Sequence, residues 1–517
     1  MIYRSPWPDI DIPAVSLADF VLAGATARGS RPALVDADSG RTITFEALPT
    51  LVDRAAAGLA ALGVRQGDVV GVLSANSPEF VVAILAVARL GAIFTTINPL
   101  CTSTDLASQL ADSGAQVLMT TAALQETWRA SAQAMRHVIL FDDAPLDGTT
   151  SFRTLLDNDG HVQAVSIAPW DLVALPYSSG TTGLPKGVML THRNIVVNIL
   201  QVDAAGHARH GDDVTVAFLP FFHIYGLTVV ALLGVWSGTT TVVVPRFDLG
   251  RYLEHVKRYR ATLLHVVPPV VVALGKSPSV DGVDYAFVRK LFSGAAPLAA
   301  DTIERCVTRM RCVLQQGYGL TEASPASHVV PESGDCPPGS IGDLLPNTEA
   351  RIVDPVTHRD CETGMDGELW MRGPQVMRGY LNRPRDTADV LDEEGWLHTG
   401  DIAHVDAAGH FFVVDRLKEL IKYKGLQVAP AELEAVLLTH PAVADAAVVP
   451  LPDVDAGEIP RAFVVLRAAA TADELMAYVA ARVAPYKKIR RIDVIDAIPK
   501  SASGKILRRL LRGAEAG

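Results

Sequence analysis

At 517 residues, the chain exceeds what one hydrophobic core accommodates, roughly 250 to 300 residues, and predicts more than one domain. With 49% hydrophobic and 20% charged side chains, it excludes a disordered or fibrous protein, and a formal charge of -11 argues against nucleic acid or an anionic membrane as partner outside one basic stretch at the C-terminus. Cys101, Cys306, Cys312, Cys336 and Cys361 show no C-x2-C spacing of a structural zinc site and fit a reducing, cytoplasmic setting.

The opening residues MIYRSPWPDIDIPAV carry Asp9, Asp11 and three prolines where a signal peptide needs a basic start and a continuous apolar run, so no export is expected. Ala- and Leu-rich helical stretches over Thr42 to Gly71 and Glu79 to Gly91 alternate with Val/Ile runs such as VVGVL at Val69 to Leu73, as in βαβ units around a mostly parallel sheet. Further strands are predicted at Val138 to Phe141, Leu172 to Leu175, Val214 to Phe218, Thr241 to Val244 and Thr262 to Val267, enough for more than one sheet. The longest uncharged run, Phe218 to Pro245, is broken by prolines and glycines and reads as a loop, a buried helix and a core strand, with no stable membrane insertion.

After about Pro338 the texture changes to short strands at Ala350 to Val353, Gly367 to Met371 and Phe411 to Val414, a smaller β-rich subdomain over 338–415. DRLKELIKYKG, Asp415 to Gly425, follows. A compact unit then takes shape from a helix at Ala431 to Thr439, strands at Ala446 to Pro450 and Arg461 to Val465, a helix at Ala472 to Val483 and a strand at Arg491 to Ile495. The predicted fold is α/β: a large N-terminal domain of stacked α/β sheets with the β-rich subdomain, 1–416, and a small mobile α+β C-terminal domain, 417–517.

Between the strand DLVAL and the apolar VML lies Tyr177-Ser178-Ser179-Gly180-Thr181-Thr182-Gly183-Leu184-Pro185-Lys186-Gly187. Its glycines let backbone N–H groups turn toward one anion, the hydroxyls add donors and Lys186 adds a mobile charge, a composition suited to a triphosphate. It is not a Walker A sequence, because Gly187 stands where that motif needs the magnesium-binding Ser or Thr.

The string YSSGTTGLPKGVMLTHRN, followed in order by LPFFHIYG at Leu219 to Gly226, SGAAPL at Ser293 to Leu298, GYGLTE at Gly317 to Glu322, the stretch Gly367 to Tyr380, LHTGD at Leu397 to Asp401, DRLKELIKYKG and SASGKILRR at Ser501 to Arg509, resembles the signatures of the adenylate-forming superfamily over essentially the whole chain. Within it the chain looks most like 4-coumarate:CoA ligases, particularly bacterial cinnamate-type members. The resemblance implies ATP, Mg2+ and coenzyme A as cofactor and co-substrates, a small carboxylic acid as substrate, and a monomer or homodimer.

It also implies roles. The loop from Ser178 to Gly187 would embrace the β- and γ-phosphates; Thr321 would contact the α-phosphate, Glu322 would hold magnesium and Tyr318 would stack near the adenine. Gln316, Gly317, Gly319, Ala295, Ala296 and Pro297 would complete the nucleotide wall. Asp401 would accept the ribose hydroxyls and Arg416 would reach ribose or phosphate. Lys505 would neutralise charge between the attacking carboxylate and the α-phosphate. The small domain would turn about Lys418 between half-reactions, so that Lys505 leaves and the face of Lys422, Lys424 and Gly425 arrives, with Gln427 touching the adenylate or pantetheine. On its residues alone, DRLKELIKYKG also reads as an exposed amphipathic linker with a helical Glu419–Lys422 pair.

For the acyl pocket the resemblance implies His223 at the carboxylate end, Tyr225 beside the ring hydroxyl of the substrate, Gly294 as an enlarged wall, Gly317 and Gly319 along the side, and Pro325, Ala326 and Ser327 at a far end wider or more polar than in plant coumarate ligases. Hydroxycinnamates are the expected acids. A medium- or long-chain fatty acid satisfies the same apolar walls, and an acyl-AMP ligase shares the first half-reaction.

Overall fold

The computed structural model describes residues 1–178, 185–296, 298, 300–334, 336–424, 426–500 and 506–512, with the backbone alone at Gln427. Among them the strands form five sheets. The largest, nine-stranded, runs in parallel through Ile93–Ile97, Val69–Leu73, Val117–Thr120 and His137–Leu140. Its central strands are buried on both faces because helices cover them, as βαβ connectivity requires. Helix Pro78–Arg89 shows how the sequence enforces this: Ser77 accepts from Phe80 N–H at 3.1 Å, Pro78 fits the first turn, and the body is apolar all round and buried.

A four-stranded sheet, Val214–Ala217, Thr240–Val243, Pro32–Asp36 and Thr42–Thr44, packs into the same core. A third sheet runs Leu263–Val266, Lys290–Ser293 and Val313–Gly319 in parallel, then turns antiparallel through Ala326–Val329 and Asp343–Leu344. The uncharged run from Phe218 becomes a loop, a wide π-helical segment Tyr225–Leu232, a short helix Leu233–Ser237 and the core strand Thr240–Val243. No helix among the described residues is long and apolar enough to cross a membrane. Gly226 fixes the start of that segment, since a Cβ there would lie 2.2 Å from the Pro220 carbonyl oxygen.

The β-rich unit is an antiparallel sheet, Glu349–Val353, Gly367–Arg372, Leu397–Val405 and Phe411–Arg416, with Tyr3–Arg4 added at its edge. Beyond it the small unit has its own core. Its strands Val443–Asp453 and Gly457–Leu466 form one long hairpin that overruns the predicted spans at both ends. DRLKELIKYKG corrects the helical alternative: Ile421–Tyr423 pairs antiparallel with Leu426–Val428, and Glu419 is bound to Arg508, not Lys422. None of the five cysteines forms a disulfide.

Candidate functional site

Two adjacent parallel strands of the third sheet lead into candidate residues at their carboxyl ends, the usual ligand edge of an open α/β sheet. Strand Lys290–Ser293 runs into Gly294, and Val313–Gly319 runs into the Thr321–Ala323 turn. The glycine-rich loop enters from the neighbouring sheet, its base closed by the antiparallel pairs Tyr177↔Gly187 and Ser178↔Lys186. Tyr177 O–H donates to Asp112 at 2.8 Å, and a Cβ on Gly187 would sit 3.1 Å from the Tyr177 ring. The loop's interior, Ser179, Gly180, Thr181, Thr182 and Gly183, lies outside the described residues, as do Pro297, Gly425 and Lys505.

Glu322 is where the loop meets the GYGLTE turn. Its Oε1 accepts from Ser178 Oγ at 3.0 Å and from the Tyr380 hydroxyl at 2.8 Å. Burial, and then the Glu322 charge, raise Tyr380 above the ordinary phenol range, so it stays a donor. Lys186 lies over the Tyr380 ring at 5.0 Å and pairs with Asp386 at 3.2 Å. Tyr380 is held against the loop by strand pairing of Val188 with Tyr380. Sequence reasoning had it as the last residue of a motif, and nothing in the sequence places it on Glu322.

A second constellation adjoins the first. Asp401, 2% exposed, accepts from the Tyr318 hydroxyl at 2.5 Å and pairs with Arg416 Nε at 2.6 Å. Strand register sets Asp401 directly opposite Arg416. Burial, then the Asp401 charge, push Tyr318 well above its ordinary value. Burial works against the Arg416 charge, but Asp401, Tyr318 and Glu322 outweigh it and leave the guanidinium above its ordinary value. Arg416 thus lies within electrostatic reach of both carboxylates. One arginine links a buried, acceptor-only carboxylate to the Glu322 cluster, a geometry able to hold a polyanion carrying a diol.

Of the predicted acyl residues, Gly294 and His223 lie against Tyr225. A Cβ on Gly294 would lie 3.2 Å from its ring, and His223 Nδ1 accepts from Tyr225 N–H at 3.3 Å. Gly317 and Gly319 leave no room for side chains, their Cβ positions falling 2.9 Å from Phe292 and 2.0 Å from the Pro325 carbonyl oxygen. Ala295, at φ 78°, holds the Gly294 loop in a left-handed turn, and Gln316 Oε1 accepts from Leu298 N–H at 3.2 Å.

Two contacts involve these residues directly. The Tyr225 hydroxyl donates to the Phe292 carbonyl at 2.9 Å, which leaves its oxygen only acceptor capacity for any further partner. Ala326 and Ser327 are successive residues of strand Ala326–Val329 and face opposite sides, with the Ser327 hydroxyl bonded to His328 Nδ1 at 2.9 Å. Lys418, Lys422 and Lys424 are exposed, and Thr321 is half-buried in its turn.

A family model described as "AMP-binding enzyme" matches residues 22–381, and one described as "AMP-binding enzyme C-terminal domain" matches residues 432–505. The 4-coumarate--CoA ligase 3 of Oryza sativa subsp. japonica is 43% identical over 523 residues, covering 99% of this chain and 94% of that protein. The anthranilate CoA ligase AuaEII in complex with anthranoyl-AMP is similar with a TM-score of 0.89 and 26% identity, covering 97% of this chain and 98% of that one. ATP-bound MatB from Rhodopseudomonas palustris gives a TM-score of 0.88 at 27% identity over 96% of this chain and 98% of that one, against 0.77 for apo MatB at 26% identity over 97% and 98%. With both of its units matched and a full-length relative well above 30% identity, the chain belongs to the AMP-binding enzyme family.

Proposed function

We propose that this protein is an ATP-dependent carboxylate:CoA ligase acting through an acyl-adenylate, with 4-coumarate, cinnamate or related hydroxycinnamates as its acids. The observation that carries the reading is the pair of adjoining constellations, Glu322–Ser178–Tyr380 and Asp401–Tyr318–Arg416, at the carboxyl edge of the third sheet. They supply a metal-binding carboxylate, a ribose acceptor and a cation in one cleft. The relatives named 4-coumarate--CoA ligase and the ligase solved with anthranoyl-AMP support an aryl acid as substrate.

In this reading the acid's carboxylate oxygen attacks the α-phosphorus of ATP, the bond to the β-phosphate breaks and pyrophosphate leaves. The thiolate of coenzyme A then adds to the carbonyl of the mixed anhydride and AMP departs. Ser178 and Lys186, with Ser179 to Gly183, hold the β- and γ-phosphates, and Thr321 faces the α-phosphate. Tyr318 lies against the adenine and Asp401 takes the ribose hydroxyls, Arg416 fixing its orientation. Glu322 fits magnesium, which takes one or two carboxylates and completes its shell with phosphate and water oxygens. When bound, the ion neutralises phosphate charge. His223 stands at the carboxylate end of the acyl pocket.

Lys505 serves the first half-reaction and the face of Lys422, Lys424, Gly425 and Gln427 the second, the small domain turning about Lys418. The better superposition on ATP-bound than on apo MatB supports an arrangement suited to the first. A cytoplasmic location fits the cysteines, which are all outside disulfides. The test is AMP release together with acyl-CoA formation over cinnamate, 4-coumarate, caffeate, ferulate, benzoate, octanoate and dodecanoate. Aryl acids are expected to lead; octanoate preferred by about tenfold, a gap of about 1.4 kcal/mol, moves the assignment to fatty acids.

Gly294→Ala probes the pocket. Its methyl would press on the Tyr225 ring, whose hydroxyl is tied to the Phe292 carbonyl, so that retreat of the ring would strain that bond. Caffeate and ferulate, with a second ring substituent, are expected to lose about 1 to 3 kcal/mol in kcat/KM relative to cinnamate. An unchanged aryl series in the variant would place Gly294 away from the ring.

A further inference from the structure

Arg508 lies in the tail helix Arg508–Arg512, three residues beyond Lys505, and its guanidinium is bound on every side. Nη1 donates to Glu419 Oε2 at 2.7 Å, Nη2 to both oxygens of Glu434 at 2.7 and 2.8 Å, and Nε to the Val448 carbonyl at 3.2 Å. The three side chains are buried, at 11%, 10% and 10% exposure. Glu434 is itself fixed by accepting from Val448 N–H at 2.7 Å. All three nitrogens are thus engaged, Nη2 shared between the two oxygens of Glu434, Nη1 on Glu419 and Nε on a backbone carbonyl, a set of directions that a planar guanidinium meets in one orientation.

Glu419 sits in the turn that follows Lys418. Its N–H donates to the Arg416 carbonyl at 2.9 Å, and Leu417 N–H donates to the Gly400 carbonyl at 2.8 Å. Arg416 is the residue paired with Asp401. A continuous set of bonds therefore runs from Asp401 through Arg416 and the Lys418 turn to Glu419 and Arg508. Three residues of chain span at most about 10 Å, so whatever holds Arg508 bounds the reach of Lys505. The next residue, Arg509, lies within electrostatic reach of Asp105, on the helix whose Asp112 receives the Tyr177 hydroxyl at the base of the glycine-rich loop.

We propose that Arg508 is a positioning residue for adenylation, a clamp that fixes the Lys505-bearing tail to the Lys418 turn so that the lysine travels with the hinge. The proposal rests on the reading above that Lys505 serves the first half-reaction. The clamp is needed only where Lys505 acts. Thioester formation in that reading uses Lys422 and Lys424 and not Lys505, and does not need the tail in register.

Arg508→Ala in the full-length enzyme is expected to lower pyrophosphate release by about twentyfold or more while transfer from synthetic cinnamoyl-adenylate to coenzyme A stays within about threefold. Arg508→Lys should fall between, because one ammonium cannot reach Glu419, Glu434 and the Val448 carbonyl together. Glu419→Gln, which keeps shape and removes one charge, guards against a misfolded domain and should give the same split on a smaller scale. If both half-reactions fall together in Arg508→Ala and Glu419→Gln, the residue is merely structural and the clamp is overturned; it is equally overturned if pyrophosphate release is unaffected. Lys505→Ala, run in parallel, separates the two levels. Pyrophosphate release lost in Lys505→Ala but intact in Arg508→Ala overturns the clamp alone, whereas release intact in Lys505→Ala removes the adenylation reading and the clamp with it.

Discussion

Lys505→Ala is expected to lower pyrophosphate release about 100- to 1,000-fold, the range found when one preorganised donor to a developing oxyanion is removed. Attack of a carboxylate on a phosphate brings two anions together, and the described cleft presents its positive charge unevenly. Arg416 is committed to Asp401 at 2.6 Å and Lys186 to Asp386 at 3.2 Å. A further cation at the α-phosphate is what the chemistry lacks, and Lys505 supplies it in this reading. Coenzyme A transfer from a supplied acyl-adenylate has no such collision of anions, so it should stay within about threefold of wild type. The reciprocal variant is Gly425→Leu, whose side chain would narrow the approach of the pantetheine arm. It should slow thioester formation and leave pyrophosphate release nearly intact. Release surviving in Lys505→Ala, or lost more than thioester formation in Gly425→Leu, would refute the division of labour.

Much of this was legible in the sequence for physical reasons. Buried parallel strands such as Val69–Leu73 and Leu263–Val266 announce themselves as Val/Ile/Leu runs between turn residues, and their predicted spans agree with the structure within a residue or two. The uncharged run from Phe218 was readable as loop, helix and strand because its prolines and glycines mark the breaks. What local pattern does not carry is pairing at a distance. The two-residue strand Tyr3–Arg4 is too short to have a period, yet it closes the β-rich sheet beside Glu349–Val353. Tyr380 lies 58 residues from Glu322 and reaches it only because Val188 pairs with Tyr380. The same holds for Arg508, 89 residues from Glu419. The helical reading of DRLKELIKYKG failed for a related reason: its charge spacing permits an i,i+3 pair, but Ile421 is drawn fully into the small unit's core and extends the segment as a strand. Residue types gave the chemistry of the site, and register decided which of them meet.

Asp401→Asn is expected to raise the KM for ATP by about a hundredfold, or about 2.7 kcal/mol, with a smaller change in kcat. The substitution keeps the shape of the side chain, so the buried position between Tyr318 and Arg416 remains filled. What disappears is the charge that opposes Arg416 and one of the two acceptor oxygens. An amide presents its N–H2 where a carboxylate oxygen stood: toward Arg416 that is a donor meeting a donor, and toward the ribose it removes an acceptor for the hydroxyl protons. Because the pair is nearly dry on the Asp401 side, the loss is much larger than for a surface ion pair. A role in ribose recognition makes a sharper demand than weaker binding. Wild-type enzyme should discriminate ATP from 2′-deoxy-ATP, and Asp401→Asn should lose most of that discrimination, because the two changes remove opposite ends of one contact and their effects cannot add. Full additivity in the affinities of the two nucleotides for the two proteins would mean that Asp401 only braces Arg416 and that the ribose is held elsewhere.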